Sequence, residues 1–251
     1  MVNDTLVILP TFNERANLKR LVMELTELHG DIDILIVDDN SPDGTGEIAE
    51  SLKSEKIHVL HRSQKAGLGP AYLAGFSWAS SRKNDHNNQH NQSFNQYEFV
   101  VEMDADGSHH PAQLGDLLAA AKAGHDLVIG TRWMPGGSVH NWPLARRLIS
   151  RFGTWYASAA LKLPYKDLTS GFRVLSMKLV KEILQSDMQA SGYGFQIEVV
   201  ALAAQLRMPI AQVPIEFTER VDGQSKMNIG IVFEAWLKTT QWGFKRILNR
   251  R

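Results

Sequence analysis

Residues Met103 to His110 read MDADGSHH, directly behind the apolar run EFVV and in front of Pro111. Two carboxylates one residue apart, a hydroxyl and two imidazoles are all groups that can ligate a metal. If the strand continues through them, alternate residues point to the same side, and Asp104 and Asp106 face one ligand. Their oxygens are hard donors suited to Mg²⁺ or Mn²⁺, ions that commonly keep substrate phosphates in their shell. A D-x-D is also a frequent loop cap; its position just behind a buried run is what favours the metal. A second acidic cluster, LIVDDNSPDGT, holds Asp38, Asp39 and Asp43. Ser41, Asp43 and Thr45 suit turn and N-cap positions, whereas a carboxylate at a strand end can also accept hydrogen bonds from a ribose or a base. Cations gather in the second half: Arg132 in DLVIGTR, Arg146, Arg147 and Arg151 behind PGGSVHNWP, Arg173 in TSGFR, and Arg220 and Lys226 around RVDGQSK. Each alone is by default a solvated charge. Their crowding near glycine-containing loops favours phosphate recognition, for which a guanidinium fork is well shaped.

These groups need a frame that collects them. TLVILP (residues 5–10), DILIVDD (33–39), IHVLH (57–61), EFVVEMD (98–104) and DLVIG (126–130) read as strands rich in Val, Ile and Leu, as expected of parallel strands buried on both faces. Helical patterns lie between them: 13–29 puts Leu18, Leu21, Val22, Leu25 and Leu28 on one face, and 111–123 opens with proline. The alternation implies right-handed crossovers and a Rossmann-like sheet with ligands at the carboxyl ends of its strands. PTFNE, DDNSPDGT, DADGS and GTRWMPGG all fall at such ends. No G-x-G-x-x-G follows the first strand and GLGPA lacks the Lys-Ser/Thr of a P-loop, which disfavours a dinucleotide site and a P-loop. The Asn/Gln-rich segment 82–97 reads as a solvated inserted loop, with metal capture by His86 and His90 as the lesser alternative.

Composition narrows the classes further. A chain of 251 residues suffices for one large α/β domain, and 27 basic against 27 acidic residues give no sign of a nucleic-acid partner. Cysteine is absent, so disulfides and thiolate metal sites are excluded and a reducing compartment is expected. MVNDTLVILP lacks the features of a signal peptide, and no apolar run approaches the ~20 residues that span a bilayer. The expectation is a protein of the cytoplasm, soluble or peripheral at the cytoplasmic membrane face.

Taken together, ILPTFNERANL, ILIVDDNSPDGT, KAGLGPA, VEMDADGSHHP, DLVIGTRWMPGG, LTSGFRVLS, GYGFQIEV and RVDGQSKMN resemble the polyprenol-phosphate (dolichol-phosphate) mannose synthases of glycosyltransferase family 2. The resemblance runs from about Leu6 to Asn228 with the motifs in order. It implies a GT-A (Rossmann-like) α/β fold, with a mostly parallel central sheet flanked by helices. It also implies an inverting transfer of mannose from GDP-mannose to a polyprenyl monophosphate lipid, with Mg²⁺ or Mn²⁺. Carried over by position, Pro10, Phe12, Glu14, Val37 and Asp39 line the guanosine pocket. Met103, Asp104 and Ala105 lie beside ribose and phosphates, and Asp106 is a principal metal ligand. Arg132, Arg220 and Lys226 surround the reacting phosphates, while Arg146 and Ser150 are weaker candidates for the acceptor phosphate. Many relatives have Gln where this chain has Ser108, so Ser108 ligates directly, through water, or not at all.

The expected division is a catalytic domain over 1–228 and a C-terminal amphipathic helix over 229–251. In that helix Ile229, Phe233, Trp236, Leu237, Phe244, Ile247 and Leu248 share a face and the end is basic, which suits an interfacial helix or one packed on the sheet. A separate membrane-anchoring protein is the alternative route to the lipid. In RRLISRFGTWYASAALKL, Leu148, Phe152, Trp155, Tyr156 and Ala159 fall along one side, as core or as a lipid path. The nearest rival function uses UDP-glucose on the same lipid phosphate. Nucleotidyl transfer would favour a Gly-rich basic loop where this chain has PTFNE, and a silent binding protein would not need Asp104, Asp106, Arg132, Arg220 and Lys226.

Overall fold

A computed structural model of the protein describes residues 3–82, 97–188, 192–219 and 240. The chain runs β1 (Thr5–Thr11), α1 (Leu18–Leu28), β2 (Ile32–Asp38), α2 (Thr45–Leu52), β3 (Ile57–His61), α3 (Leu68–Ser81) and β4 (Phe99–Glu102). It continues through α4 (Leu114–Lys122), β5 (Leu127–Thr131), β6 (Ser138–His140), α5 (Leu144–Leu161), β7 (Arg173–Ser176), α6 (Met177–Gln185), α7 (Tyr193–Gln205), β8 (Ile210–Pro214) and β9 (Glu216–Thr218). The main sheet has the order β3-β2-β1-β4-β7-β5-β8, and β6 pairs with β9 in a separate ribbon.

β7 is antiparallel to both β4 and β5, and the other strand pairs of the main sheet are parallel. The expected mostly parallel α/β sheet is therefore present. Residues of β1 and β2 alternate between two apolar cores: Leu6, Ile8, Leu35 and Val37 face α3, α6 and α7, while Val7, Leu9, Ile34 and Ile36 face α1 and α4. Burial on both faces explains why these strands read as unbroken apolar runs. The hydrophobic side chains therefore supply the main driving force for the frame that holds the strand ends.

One consequence of the topology bears directly on chemistry. The carboxyl ends of β1, β2, β4 and β5 lie along one edge, and β7 starts there, because Arg173 is in register with Glu102. The segment before β7 thus reaches the MDADGSHH loop. β9 covers the same loop from the other side, with Thr218 N donating to Ser108 O at 3.0 Å and Phe217 bridged to His109.

Local differences from the sequence expectations have physical causes. The first helix begins at Leu18, not Asn13, because Asn13 adopts a left-handed φ of 58° and Asn17 and Leu18 N–H close a turn on Glu14 O. β4 stops at Glu102, so Asp104 and Asp106 stand in a turn and not on a strand as expected. Gly107, at φ 75°, completes that turn where a side chain would be strained. Pro111 opens a short 3₁₀ turn, Pro111–Gln113, that leads into α4. Residues 83–96 of the inserted loop lie outside the described residues, as does the C-terminal segment but for Thr240.

Candidate active site

Three loops meet at the carboxyl edge. After β1, Pro10 and Phe12 are half-buried and Glu14 is buried; Lys65 Nζ sits 4.1 Å from the centroid of the Phe12 ring. After β2, Asp38 and Asp39 are adjacent in sequence but differently engaged. Asp38 is structural: its oxygens accept from Thr11 Oγ1 at 3.0 Å and from Ser41 Oγ and N at 2.6 and 3.1 Å. Asp43 likewise accepts from Thr45 N and Oγ1 and so shapes the start of α2, as its type suggested. Asp39 instead meets Arg62, whose Nη1 lies 2.6 Å from Oδ1. Burial raises the Asp39 carboxyl above its ordinary range, and the Arg62 charge and the Ala66 backbone N–H oppose that rise. Arg62 was not singled out by the sequence, although it follows β3 directly.

The MDADGSHH loop supplies the second wall. Met103 and Ala105 are buried, and Asp106 Oδ1 accepts the Ser108 N–H at 3.0 Å, which ties the turn together. The Asp104 side chain keeps 32% exposure. Its carboxylate lies against Gly171: a Cβ on that glycine would stand 2.9 Å from Oδ2 and 3.1 Å from Oδ1. Ser108 Oγ is buried and has no hydrogen-bond partner among the described residues, which leaves its lone pairs for a ligand. His109 packs between Phe172 and Phe217, with centroids 5.1 Å away on each side, and its Nε2 is 3.6 Å from Asp104 Oδ2. His110 Nε2 lies 3.0 Å from Thr218 Oγ1. Both imidazoles therefore brace the loop.

The cations behave less uniformly than their sequence positions suggest. Arg132 is buried and held as a fork by Asp167, with Nε–Oδ2 at 2.7 Å and Nη2–Oδ1 at 2.8 Å; its backbone N–H donates to the same carboxylate. Arg146 pairs with Glu219 and lies 4.3 Å from the centroid of Trp142. Ser150, the other acceptor-phosphate candidate, is partly exposed on α5. Arg173 is a correction: it is fully buried and donates to the carbonyls of Leu168, Ser170 and Gln196, so it cannot meet a phosphate. Below the loop, burial pushes the Glu102 carboxyl up to about 7 against the pull of Arg173. Arg220 and Lys226 lie outside the described residues.

Asp167, Gly171 and Arg62 are the residues that sequence reading missed. Each acts on a partner 23 to 67 positions away (Arg62 on Asp39, Asp167 on Arg132, Gly171 on Asp104), a pairing that only the fold reveals. A weak signal existed for Arg173: an arginine opening a buried strand needs partners.

A doubly flanked, mostly parallel sheet with acidic loops at its carboxyl edge puts these groups where doubly wound α/β folds bind their ligands. The profile described as "Glycosyl transferase family 2" matches residues 6–184, and the chain belongs to that family. Among curated relatives, the polyprenol monophosphomannose synthase of Mycolicibacterium smegmatis is 42% identical over 98% of this chain and 89% of its own. The undecaprenyl-phosphate mannosyltransferase of Micrococcus luteus is 43% identical, covering 95% of this chain and 93% of its own. Among solved structures, glucosyl-3-phosphoglycerate synthase from Mycobacterium tuberculosis, in complex with Mn²⁺, UDP and glucosyl-3-phosphoglycerate, superposes with a TM-score of 0.66 at 20% identity, covering 96% of this chain and 80% of that one. A mannosyltransferase from Pyrobaculum calidifontis with GDP-Man and Mn²⁺ gives 0.54 at 13% identity, covering 99% and 76%. These two likenesses bear on the fold, which is GT-A.

Proposed function

We propose that the protein transfers mannose from GDP-mannose to a polyprenyl (dolichyl) monophosphate with inversion, giving polyprenyl-phosphate β-mannose, in the presence of Mg²⁺ or Mn²⁺. The observation that carries this reading is the gathering of Asp39, Asp104 and Asp106 at one sheet edge in a chain 42% identical to a polyprenol monophosphomannose synthase.

The donor set suits a hard divalent ion. Asp104 and Asp106 offer carboxylate oxygens, the Ser108 hydroxyl is unpartnered among the described residues, and Gly171 leaves room at Asp104. No group of three His, Cys, Asp or Glu able to hold a metal occurs among the described residues, so substrate phosphate and water would complete the shell. When bound, such an ion supplies Lewis-acid neutralisation of the departing diphosphate.

The chain's own residues do the rest. In this reading Pro10, Phe12, Glu14, Val37 and Asp39 line the nucleoside site, and the Arg62 charge opposes the rise that burial gives the Asp39 carboxyl, which favours it as an acceptor of base or ribose donors. A phosphate monoester is already largely anionic near neutral pH, so the acceptor needs little help from a general base. The difficulty is like charge meeting like charge. In this reading Arg132, its orientation fixed by Asp167, together with Arg146, Arg220 and Lys226 offsets that repulsion and aligns the acceptor for attack opposite the leaving diphosphate.

The lipid acceptor puts the reaction at a membrane surface, and a nucleotide-sugar donor favours its cytoplasmic face. No helix among the described residues is long and apolar enough to cross a membrane, which fits peripheral contact or docking on a membrane-anchored partner. We retain the division into a catalytic unit over 1–228 and a C-terminal helix over 229–251 as part of this proposal. The test is Asp106→Asn, whose amide oxygen can still accept the Ser108 N–H: transfer should fall below detection while the unfolding midpoint is kept. Near-normal turnover by the folded variant would overturn the assignment.

A further inference from the structure

Two of the cations assigned to the reacting phosphates come from different elements and are held very unequally. Arg132 follows β5 and is fixed from its own side: Asp167 accepts from its backbone N–H, Nε and Nη2, and Thr169 Oγ1 accepts from Nη2 at 3.1 Å. Arg146 lies in the first turn of α5. There it faces the unpaired N–H groups and the positive end of the helix dipole, an unfavourable place for a cation. That turn holds no acidic residue to offset it. Among the described residues the Arg146 guanidinium meets Glu219, whose side chain is 27% exposed, and the ring of Trp142, while its buried Nε has no hydrogen-bond partner. One half-exposed carboxylate is a weak hold for a side chain with so many rotamers.

Trp142 supplies the rest. It stands between Asn141, at a left-handed φ of 62°, and Pro143, behind which α5 starts, and it is buried. Arg146 Cζ lies 4.3 Å from the Trp142 centroid, nearer than the rings of Phe217 at 5.3 Å and Trp133 at 6.1 Å. Those two rings meet it at steep angles of 74° and 63°, so neither stacks flat against it. Arg132 Cζ lies 5.3 Å from the same centroid. One indole is thus within cation–π range of both guanidiniums. Its quadrupole attracts two like charges at once without cancelling them, whereas a further carboxylate would neutralise what a phosphate needs. The same packing reaches the metal loop, because Phe217 lies 5.1 Å from His109, whose Nε2 is 3.6 Å from Asp104 Oδ2.

We propose that Trp142 is a positioning residue for the transfer: its buried indole holds the Arg146 guanidinium beside that of Arg132, so that the two act as one pair on the acceptor phosphate. This rests on the phosphate-acceptor reading for its purpose, and on the packing for the pairing itself. Because Asp167 fixes Arg132 independently, loss of the indole releases Arg146 and leaves Arg132 in place. Trp142 therefore sets the affinity for the acceptor and leaves donor binding alone.

The test uses the full chain and the variants Trp142→Leu and Trp142→Phe, each also made with Arg146→Gln, which removes the guanidinium and keeps a donor for Glu219. Initial rates are measured with radiolabelled GDP-mannose and a polyprenyl phosphate in detergent micelles, with urea midpoints alongside. Trp142→Leu should raise KM for the acceptor about tenfold, with kcat and KM for GDP-mannose changed by less than about twofold. Trp142→Phe, which keeps a ring, should recover most of that loss. With Arg146→Gln already present, neither Trp142 substitution should raise the acceptor KM further. A role in packing alone would lower kcat with the folded fraction, or raise KM by the same factor in both backgrounds, and either result would overturn the proposal. If Trp142→Leu does not fold, the Trp142→Phe pair makes the same comparison. A second readout needs no turnover: the Arg146 Nε–H resonance, assigned by its loss in Arg146→Gln, should be ring-shifted in the wild type and move to the range of exposed arginines in Trp142→Leu, with a smaller move in Trp142→Phe. An unmoved resonance would refute the pairing. A wild type that transfers no sugar to the lipid would refute the proposed activity instead, and the resonance would still decide whether Trp142 holds Arg146.

Discussion

Replacing Gly171 by Ala would press directly on Asp104. The added Cβ would stand 2.9 Å from Oδ2, 3.1 Å from Oδ1 and 3.2 Å from Cγ, so the carboxylate must retreat by a few tenths of an ångström. It can do so cheaply, because the Asp104 side chain is 32% exposed and has solvent on one side. The cost in fold stability is therefore expected to stay under about 1 kcal/mol. The cost in chemistry is larger. Mg²⁺ tolerates little departure from ideal ligand positions, and a misplacement approaching 1 Å can cost up to about a hundredfold in rate. For a shift of a few tenths of an ångström a loss of up to about 10-fold is expected, equivalent to ~1.4 kcal/mol in the barrier. Initial rates of sugar transfer measured across a Mn²⁺ titration should show a higher half-saturating metal concentration and a lower plateau, with the urea midpoint unmoved. A variant with wild-type rate and wild-type metal dependence would refute the claim that Asp104 holds the ion beside Gly171.

Asp167→Ala leaves the buried Arg132 guanidinium without its carboxylate, and urea unfolding should show a loss of about 3–5 kcal/mol. Arg62→Ala removes the cation that opposes desolvation of Asp39; calorimetric titration should show GDP binding weakened roughly tenfold and weakening further as pH falls, because a larger share of Asp39 is then protonated. Glu102 has its carboxyl raised by burial to about 7 from an ordinary 4.5, so the folded state favours its protonated form. That contribution is fully present below about pH 4.5 and is lost as pH rises to about 7, a change on the order of 3 kcal/mol. Over that window Glu102→Gln should lose less stability than wild type in parallel urea titrations, and equal slopes would exclude the assignment.

The sheet was legible because its strands are buried on both faces and their Val, Ile and Leu runs have no other use. The grouping of the acidic loops at one edge was legible for the same reason, since parallel strands must end together. Strand alternation does not set the positions of Asp104 and Asp106. β4 ends at Glu102, and it is a turn closed by Asp106 and Gly107 that presents them. Arg173 looks like a phosphate ligand because it is one of several cations near glycine-containing loops, whereas its register opposite Glu102 puts it inside the sheet. Pairings such as Arg132 with Asp167 or Gly171 with Asp104 depend on how β7 inserts antiparallel between β4 and β5, which no local pattern announces. The apolar side of α5 was visible as a periodicity, but only the fold shows that it faces outward.

The most direct measurement supplies radiolabelled GDP-mannose, UDP-glucose and UDP-galactose separately, each with a polyprenyl phosphate and with Mg²⁺, Mn²⁺ or a chelator. Label should enter the lipid from GDP-mannose alone and only when a divalent ion is present. Transfer from a UDP-sugar at a comparable or higher rate, or transfer from GDP-mannose that the chelator leaves untouched, would contradict the proposed donor or the proposed metal site.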